Sequence, residues 1–535
     1  VSEEFDRLAD GYLEFSHKDS PLSASFMGLE EFDGEWGNFS PEGMKASLAK
    51  YREFKDRFLA MEDISVDDEI DRRIIISQIR NSEISLDDYD FFSRFPSAGM
   101  QIASSGIFIL LSRAEKLNAQ KCEAILSRLD GVPELLSAIS KHINAVCSIN
   151  REVALEAAEG TRQFFSSLPS IMEKEGYDAK NPAKEALTAV EGYISFLNDL
   201  PEVEDNYATG KEIFSAMLSD IHLLPTSVEE IEEMGIELLD SSKKQQKELA
   251  QKIDPAKGPA ELIDDLKSHH PTVEELSDTY KRYMESARQF IIDHDLIDLP
   301  DGERLDMIST PPFHRGIIPY AAYLPPVVYG SQQVGKFMVT PVEEEDVAKR
   351  EEILRGHCTY RLPGVSLHEG YPGHHLQMSW ATRTERSVRK ETYNNIFIEG
   401  WALYCEQMMT EEGFISTPQE KLFLANDLVW RGARVIVDIG IHCKKKGYDW
   451  AVEFMMKEAG LEKPHAETEC KRYISTPTQP LSYPVGRRII LHLREQIKRK
   501  LGEKFSLRDF HNRLMGYGSL HAPLIAEEVE KSYAS

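Results

Sequence analysis

The chain has 535 residues, 41% apolar and 28% charged, an ordinary globular balance with length enough for two or three domains or one large two-lobed body. Its formal net charge of −28 argues against nucleic acid and anionic membrane surfaces as partners, since both recruit positive charge. Cys122, Cys147, Cys358, Cys405, Cys443 and Cys470 are too scattered for a disulfide framework or a Cys-type zinc site, and the longest apolar stretch, 316–330, is cut by prolines and does not read as a membrane span. Together with an acidic start (Val1 to Asp6) that lacks a signal-peptide core, this makes the cytoplasm the expected compartment. No feature specifies an oligomer.

Residues 1–300 read as successive helices at 42–61, 66–86, 112–129, 133–158, 183–199, 227–252 and 273–293, each with apolar residues at helical spacing. Ser40-Pro41-Glu42, Asn181-Pro182 and Thr226-Ser227-Val228-Glu229-Glu230 supply N-cap residues and early acids. Pro255, Gly258 and Pro259 mark one loop and Asp301-Gly302 another. The expected division is an N-terminal helical region, 1–225, and a catalytic region, 226–535. Residues 303–345 break the pattern: prolines and aromatics cluster in Thr310-Pro311-Pro312-Phe313 and from Ile318 to Pro326, and Gly335–Thr340 reads as a short strand. A small sheet is expected there, just upstream of the most informative segment in the chain.

That segment is His368-Glu369-Gly370-Tyr371-Pro372-Gly373-His374-His375. Two imidazoles beside a carboxylate suit Zn²⁺, which binds nitrogen and oxygen donors and makes a bound water acidic, with the neighbouring Glu369 as general base. The spacing is unusual. In a regular helix His374 lies about 120° off the face of His368 and about 9 Å further along the axis; His375 regains the face but lies about 10.5 Å away. One ion cannot hold either pair. Pro372 removes a backbone donor, and Gly370 and Gly373 permit unusual angles, so a break at 370–373 is predicted to swing His374 back beside His368. The bland reading is two surface histidines near a Pro-Gly turn.

Glu399 follows, flanked by Ile396-Phe397-Ile398 and Trp401-Ala402-Leu403. A carboxylate among such neighbours needs a partner, and a metal is one. Glu406, seven residues on, is a rival ligand or an acceptor for a ligand imidazole; for both, an arginine ion pair is the plain alternative. In 426–442, Arg431, Arg434, Asp438 and His442 step along one face of an otherwise apolar helix, either a solvated stripe or the lining of a cleft. In the latter, Asp438 would orient a ligand imidazole and His442 would meet substrate. Near the end, Tyr483 is the chosen oxyanion donor, with Tyr473 and His442 in reserve; Tyr473, Gln479 and Arg487 are the expected substrate contacts, and an arginine of the set Arg472 and Arg487 could grip a C-terminal carboxylate. A satisfied core tyrosine is the alternative for each phenol.

The chain resembles the bacterial and archaeal family called domain of unknown function 885, related to gluzincin metallopeptidases. The resemblance rests on 368–377 and on Glu399-Gly-Trp-Ala-Leu-Tyr404. It continues through Arg434–His442, Arg472-Tyr473, Pro477, Gln479 and Leu481-Ser482-Tyr483, and reaches Asp71-Arg72-Arg73 and Phe505–His511. It implies a mainly α, two-lobed body with a small sheet beside the metal and a deep central cleft. It further implies one Zn²⁺ per chain on His368, His374 and Glu399, with His374 favoured over His375, and short peptides as substrates. It also favours a substrate-pairing strand carrying Phe337 and Val339 over a structural hairpin. The expected activity is a metallopeptidase, in one version a carboxypeptidase or dipeptidyl carboxypeptidase. A hydrolase of a non-peptide amide or ester would use the same centre, and a non-catalytic helical binding protein could keep the motif as structure.

Overall fold

The computed structural model describes residues 3–113, 117–310, 318, 320–330 and 333–534. The chain is mainly α-helical with two small sheets, and it packs as two compact units, Val1–Ile221 and His222–Ser535. No helix among the described residues is long and apolar enough to cross a membrane.

The longer helices of the first unit are α1 (Glu3–Asp19), α2 (Pro41–Leu59), α3 (Val66–Glu83), α4 (Ser97–Arg113), α5 (Ala119–Ser140), α6 (Ser148–Lys174) and α7 (Lys180–Asp199). Aromatic side chains tie α1 to α2, with Phe5 meeting Phe58 at 5.4 Å and Tyr12 meeting Phe54 at 5.7 Å between ring centroids. The helices expected at 112–129 and 133–158 are displaced. Asn118 caps α5, its side chain accepting from the Lys121 N–H at 2.8 Å, and Pro133 lies inside that helix without ending it. The chain turns instead before β1 (Val146–Cys147), which pairs in parallel with β2 (Glu202–Val203). Two residues are too few to leave an alternating pattern in the sequence.

In the second unit α8 (Val228–Ile253) opens on the Ser227/Glu230 capping box and is followed by α9 (Leu276–Asp293). Then come β3 (Arg304–Ser309), β4 (Ala321–Leu324) and β5 (Val334–Val339), in spatial order β3-β5-β4. β5 runs parallel to β3 (Met307 beside Phe337) and antiparallel to β4 (Tyr323 beside Phe337). This corrects the substrate-strand assignment. As the inner strand, β5 is paired on both sides, and Phe337 and Val339 are buried, with the Phe337 ring 5.4 Å from that of Tyr280. They hold the sheet to α9 and cannot touch substrate. Residues 311–317 and Pro319, including Pro311-Pro312-Phe313, lie outside the described residues.

The remaining elements that matter are α10 (Leu362–Glu369), α11 (His374–Ala381), α12 (Asn395–Glu411), α13 (Pro418–Lys444), α14 (Lys463–Ser475), α15 (Ser482–Leu501) and α16 (Leu507–Met515). α12 and α15 cross backbone to backbone: a Cβ on Gly400 would lie 2.4 Å from the Gly486 Cα, and one on Gly486 1.7 Å from the Ile396 carbonyl oxygen. Only glycine fits at either position, and Glu399 on α12 and Tyr483 on α15 are fixed by this crossing.

Candidate metal centre

The helix breaks where the spacing demands it. α10 stops at Glu369, the Gly373 N–H reaches back to the Leu367 carbonyl at 2.9 Å, and α11 starts at His374. A Cβ on Gly373 would lie 1.9 Å from the His368 carbonyl oxygen, so no other residue allows the fold-back. The fully buried Trp401 pins the turn, its indole N–H donating to the Pro372 carbonyl at 2.8 Å. The His368 and His374 rings come to 4.8 Å between centroids. One ligand atom from each of His368, Glu369 and His374 lies within 4.8 Å of the others, a cluster able to coordinate a metal ion.

Neighbouring groups select which atoms are free. His368 Nδ1 lies 2.8 Å from a Glu406 carboxylate oxygen, which also accepts from Arg431 at 3.2 Å. A carboxylate can only accept, so Nδ1 carries the proton and the Nε2 lone pair is left for a ligand. His374 Nδ1 is buried without a hydrogen-bond partner, while its Nε2 is 3.4 Å from Glu399 Oε2. Glu399 lies outside the group of three but next to it. Burial raises the Glu399 carboxyl, yet the hydrogen bond and charge of His374, the charge of His368 and the hydrogen bond from the Tyr483 hydroxyl outweigh it and hold the pKa down at about 2. The nitrogen and carboxylate donors of His368, Glu369 and His374, with Glu399 3.4 Å from His374 Nε2, are of the type that fits a zinc ion.

His375 is differently placed. Its Nε2 is 3.0 Å from Glu303 Oε2 and its Nδ1 is 3.3 Å from the Tyr323 hydroxyl, so both nitrogens have protein partners. Glu303 also accepts from the Tyr371 hydroxyl at 2.7 Å and from Arg288 at 2.9 and 3.0 Å. Burial raises the Glu303 carboxyl, but these donors prevail and lower it. Sequence reasoning missed Glu303, Tyr323 and Arg288. A lone acid after the Asp301-Gly302 turn gives no local signal, because its partners lie far along the chain.

The polar stripe of α13 is neither solvated nor one continuous lining. Its first half faces the cluster: Arg431 holds Glu406, and the Arg434 guanidinium lies 5.1 Å from the centre of the Tyr483 ring. Its second half turns away. Asp438 accepts from the Thr478 N–H at 3.4 Å, and burial raises its carboxyl well above the usual range. His442 Nε2 bonds the Tyr473 carbonyl at 3.0 Å. Asp438 therefore does not orient a ligand imidazole, the position that Glu406 takes, and the fully buried His442 meets no substrate. Tyr473 is also fully buried, its hydroxyl bonded to Arg434 and Glu469. Gln479 accepts from Arg472 at 2.9 Å and donates to Tyr483 at 3.4 Å. Arg487 donates to Gln407, about two turns along α12 from Glu399.

Residues 21–529 match the family model described as "Bacterial protein of unknown function (DUF885)". The chain belongs to this family. Two solved structures share the fold of this DUF885 protein. The first, described as "a putative lipoprotein of unknown function from Shewanella oneidensis", has 20% identity, a TM-score of 0.82, and coverage of 98% of this chain and 99% of that one. The second, described as "the putative lipoprotein from Colwellia psychrerythraea", has 18% identity, a TM-score of 0.81 and full coverage of both chains. No curated protein matches. The two descriptions overturn the cytoplasmic expectation. That expectation rested on scattered thiols, the lack of a signal-peptide core and the lack of an apolar span; although all six cysteines are free, a chain with few cysteines folds equally well in either redox environment.

Proposed function

We propose that this DUF885 protein is a zinc-dependent metallopeptidase acting on short peptides, with His368, His374 and Glu399 as metal ligands and Glu369 as general base. One observation carries the reading: the broken helix turns His368 and His374 onto one point beside Glu369, with Glu406 on His368 Nδ1 leaving Nε2 for a metal and His374 Nε2 lying 3.4 Å from Glu399. When bound, zinc supplies the Lewis-acid charge that polarises a carbonyl and makes water nucleophilic near neutral pH. Glu369 takes the proton of the attacking water and delivers it to the leaving amine. Tyr483, held by Gln479 and lying over Arg434, donates to the developing oxyanion. Glu406 keeps the His368 imidazole in one tautomer and orientation. The outer strand β4, which carries Tyr323, replaces β5 as the edge that pairs with a peptide backbone. A cleft leading to this point would admit short chains and exclude folded proteins, and Arg472, which now bonds Glu469 and Gln479, would hold a C-terminal carboxylate.

The test is metal analysis of the purified chain, with and without Glu369→Gln, beside hydrolysis of a peptide panel with free and blocked termini. Both proteins are expected to carry about one zinc, with hydrolysis falling by about 10²–10⁴-fold in the variant. Absence of bound zinc from both, or an unimpaired variant, would overturn the reading.

A further inference from the structure

All three strands of the small sheet converge on one residue, His375. Glu303, immediately before β3, meets its Nε2 at 3.0 Å; Tyr323 of β4 meets its Nδ1 at 3.3 Å; and a Cβ on Gly335 of β5 would lie 2.5 Å from that same Nδ1. Glu303 also accepts from Tyr371 at 2.7 Å. One carboxylate thus holds a residue inside the break and a residue in the first turn of α11, bracketing Pro372, Gly373 and His374. Arg288 neutralises it from α9 through two hydrogen bonds to its other oxygen, and the Glu303 side chain is only 2% exposed.

A buried ion pair alone would be weak evidence for a role, because pairing roughly offsets the cost of desolvation. The distribution of contacts says more. α10 and α11 share no regular helical ladder across residues 370–373; two backbone bonds cross the break, Gly373 N–H to the Leu367 carbonyl at 2.9 Å and Leu376 N–H to the Gly370 carbonyl at 3.3 Å, and side chains from other elements complete the hold on the angle that brings His374 to His368. Trp401 fixes one side of the turn through the Pro372 carbonyl, and Glu303 fixes the other through two side chains.

We infer that Glu303 is the positioning residue of the metal-binding turn, and that the sheet is the clamp that carries it there. The inference rests on the metal-binding reading above. Glu303 touches no ligand imidazole; it acts through His375 and Tyr371.

The experiment measures the zinc dissociation constant of the folded full chain by chelator competition, for wild type, Glu303→Gln and Tyr371→Phe, together with the melting temperature of each metal-free protein. Loss of an outer carboxylate weakens metal affinity about 10–100-fold, the change expected for Glu303→Gln. Loss of one hydrogen bond predicts a weakening of roughly 2–10-fold for Tyr371→Phe. A merely structural role would lower the melting temperature and leave the dissociation constants of folded protein at the wild-type value. That result overturns the inference. If Glu303→Gln does not fold, Tyr371→Phe decides by the same criterion. A wild-type chain that binds no zinc defeats the metallopeptidase reading first, and the inference falls with it.

Discussion

His374 and His442 are buried imidazoles in the same unit, and they behave in opposite ways. His442 sits in the unbroken α13, where a carbonyl from α14 meets its Nε2, and burial lowers its pKa to about 4. His374 is less completely enclosed, with 12% of its side chain exposed against none for His442, and burial again opposes its charge, yet the hydrogen bond and charge of Glu399 prevail and raise it. One nitrogen of His374 has no partner. Burial does not separate a structural histidine from a candidate ligand. What separates these two is the partner: His442 Nε2 meets a backbone carbonyl, whereas His374 Nε2 faces the Glu399 carboxylate.

The sharpest way to break this contrast is Gly373→Ala. The added carbon would overlap the His368 carbonyl, so zinc binding should disappear and stability should fall by about 3–5 kcal/mol, read by metal analysis and urea denaturation. Exchanging the two imidazoles comes next. His374→Ala should remove bound zinc, whereas His442→Ala should keep it and lose about 1–3 kcal/mol of stability, because the Tyr473 carbonyl loses its imidazole donor and keeps only the Thr476 N–H at 3.3 Å. Equal zinc content in the two variants would abolish the distinction.

A third buried imidazole extends the contrast to pH. His511 in α16 bonds the Leu296 carbonyl through Nδ1 at 2.7 Å and the Tyr404 hydroxyl through Nε2 at 2.8 Å, and burial lowers its pKa from 6.5 to about 4. The unfolded chain therefore takes up a proton first as pH falls. The stability held by this group is complete above about pH 6.5 and is lost on descending toward pH 4, by about 3 kcal/mol. Urea midpoints at pH 8 and pH 5 should show the loss, and His511→Gln should flatten it while lowering the pH 8 value. The smallest effect is a control. Gly192 lies within α7 with nothing within 4 Å of an added Cβ, so Gly192→Ala should raise stability by about 0.5–1 kcal/mol without touching metal content.

The break at 370–373 was legible because it is local: a proline, two glycines and a separation that no regular helix could bridge all fall within eight residues. The Ser227/Glu230 capping box was legible for the same reason. Strand order was not. Gly335–Thr340 looks alike as an edge or an inner strand, and only the pairing with both β3 and β4 decides which it is. The α13 stripe shows the same limit, since Arg431, Arg434, Asp438 and His442 share a helical face but meet different neighbours along its length. Glu303 lies furthest from local inference: each of its partners comes from another element, and the loop around it has no periodicity.

The glycine-to-glycine crossing of α12 and α15 has a mechanical consequence. Two main chains in direct contact have no side-chain layer through which to slide, so Glu399 and Tyr483 keep their spacing whenever either helix shifts.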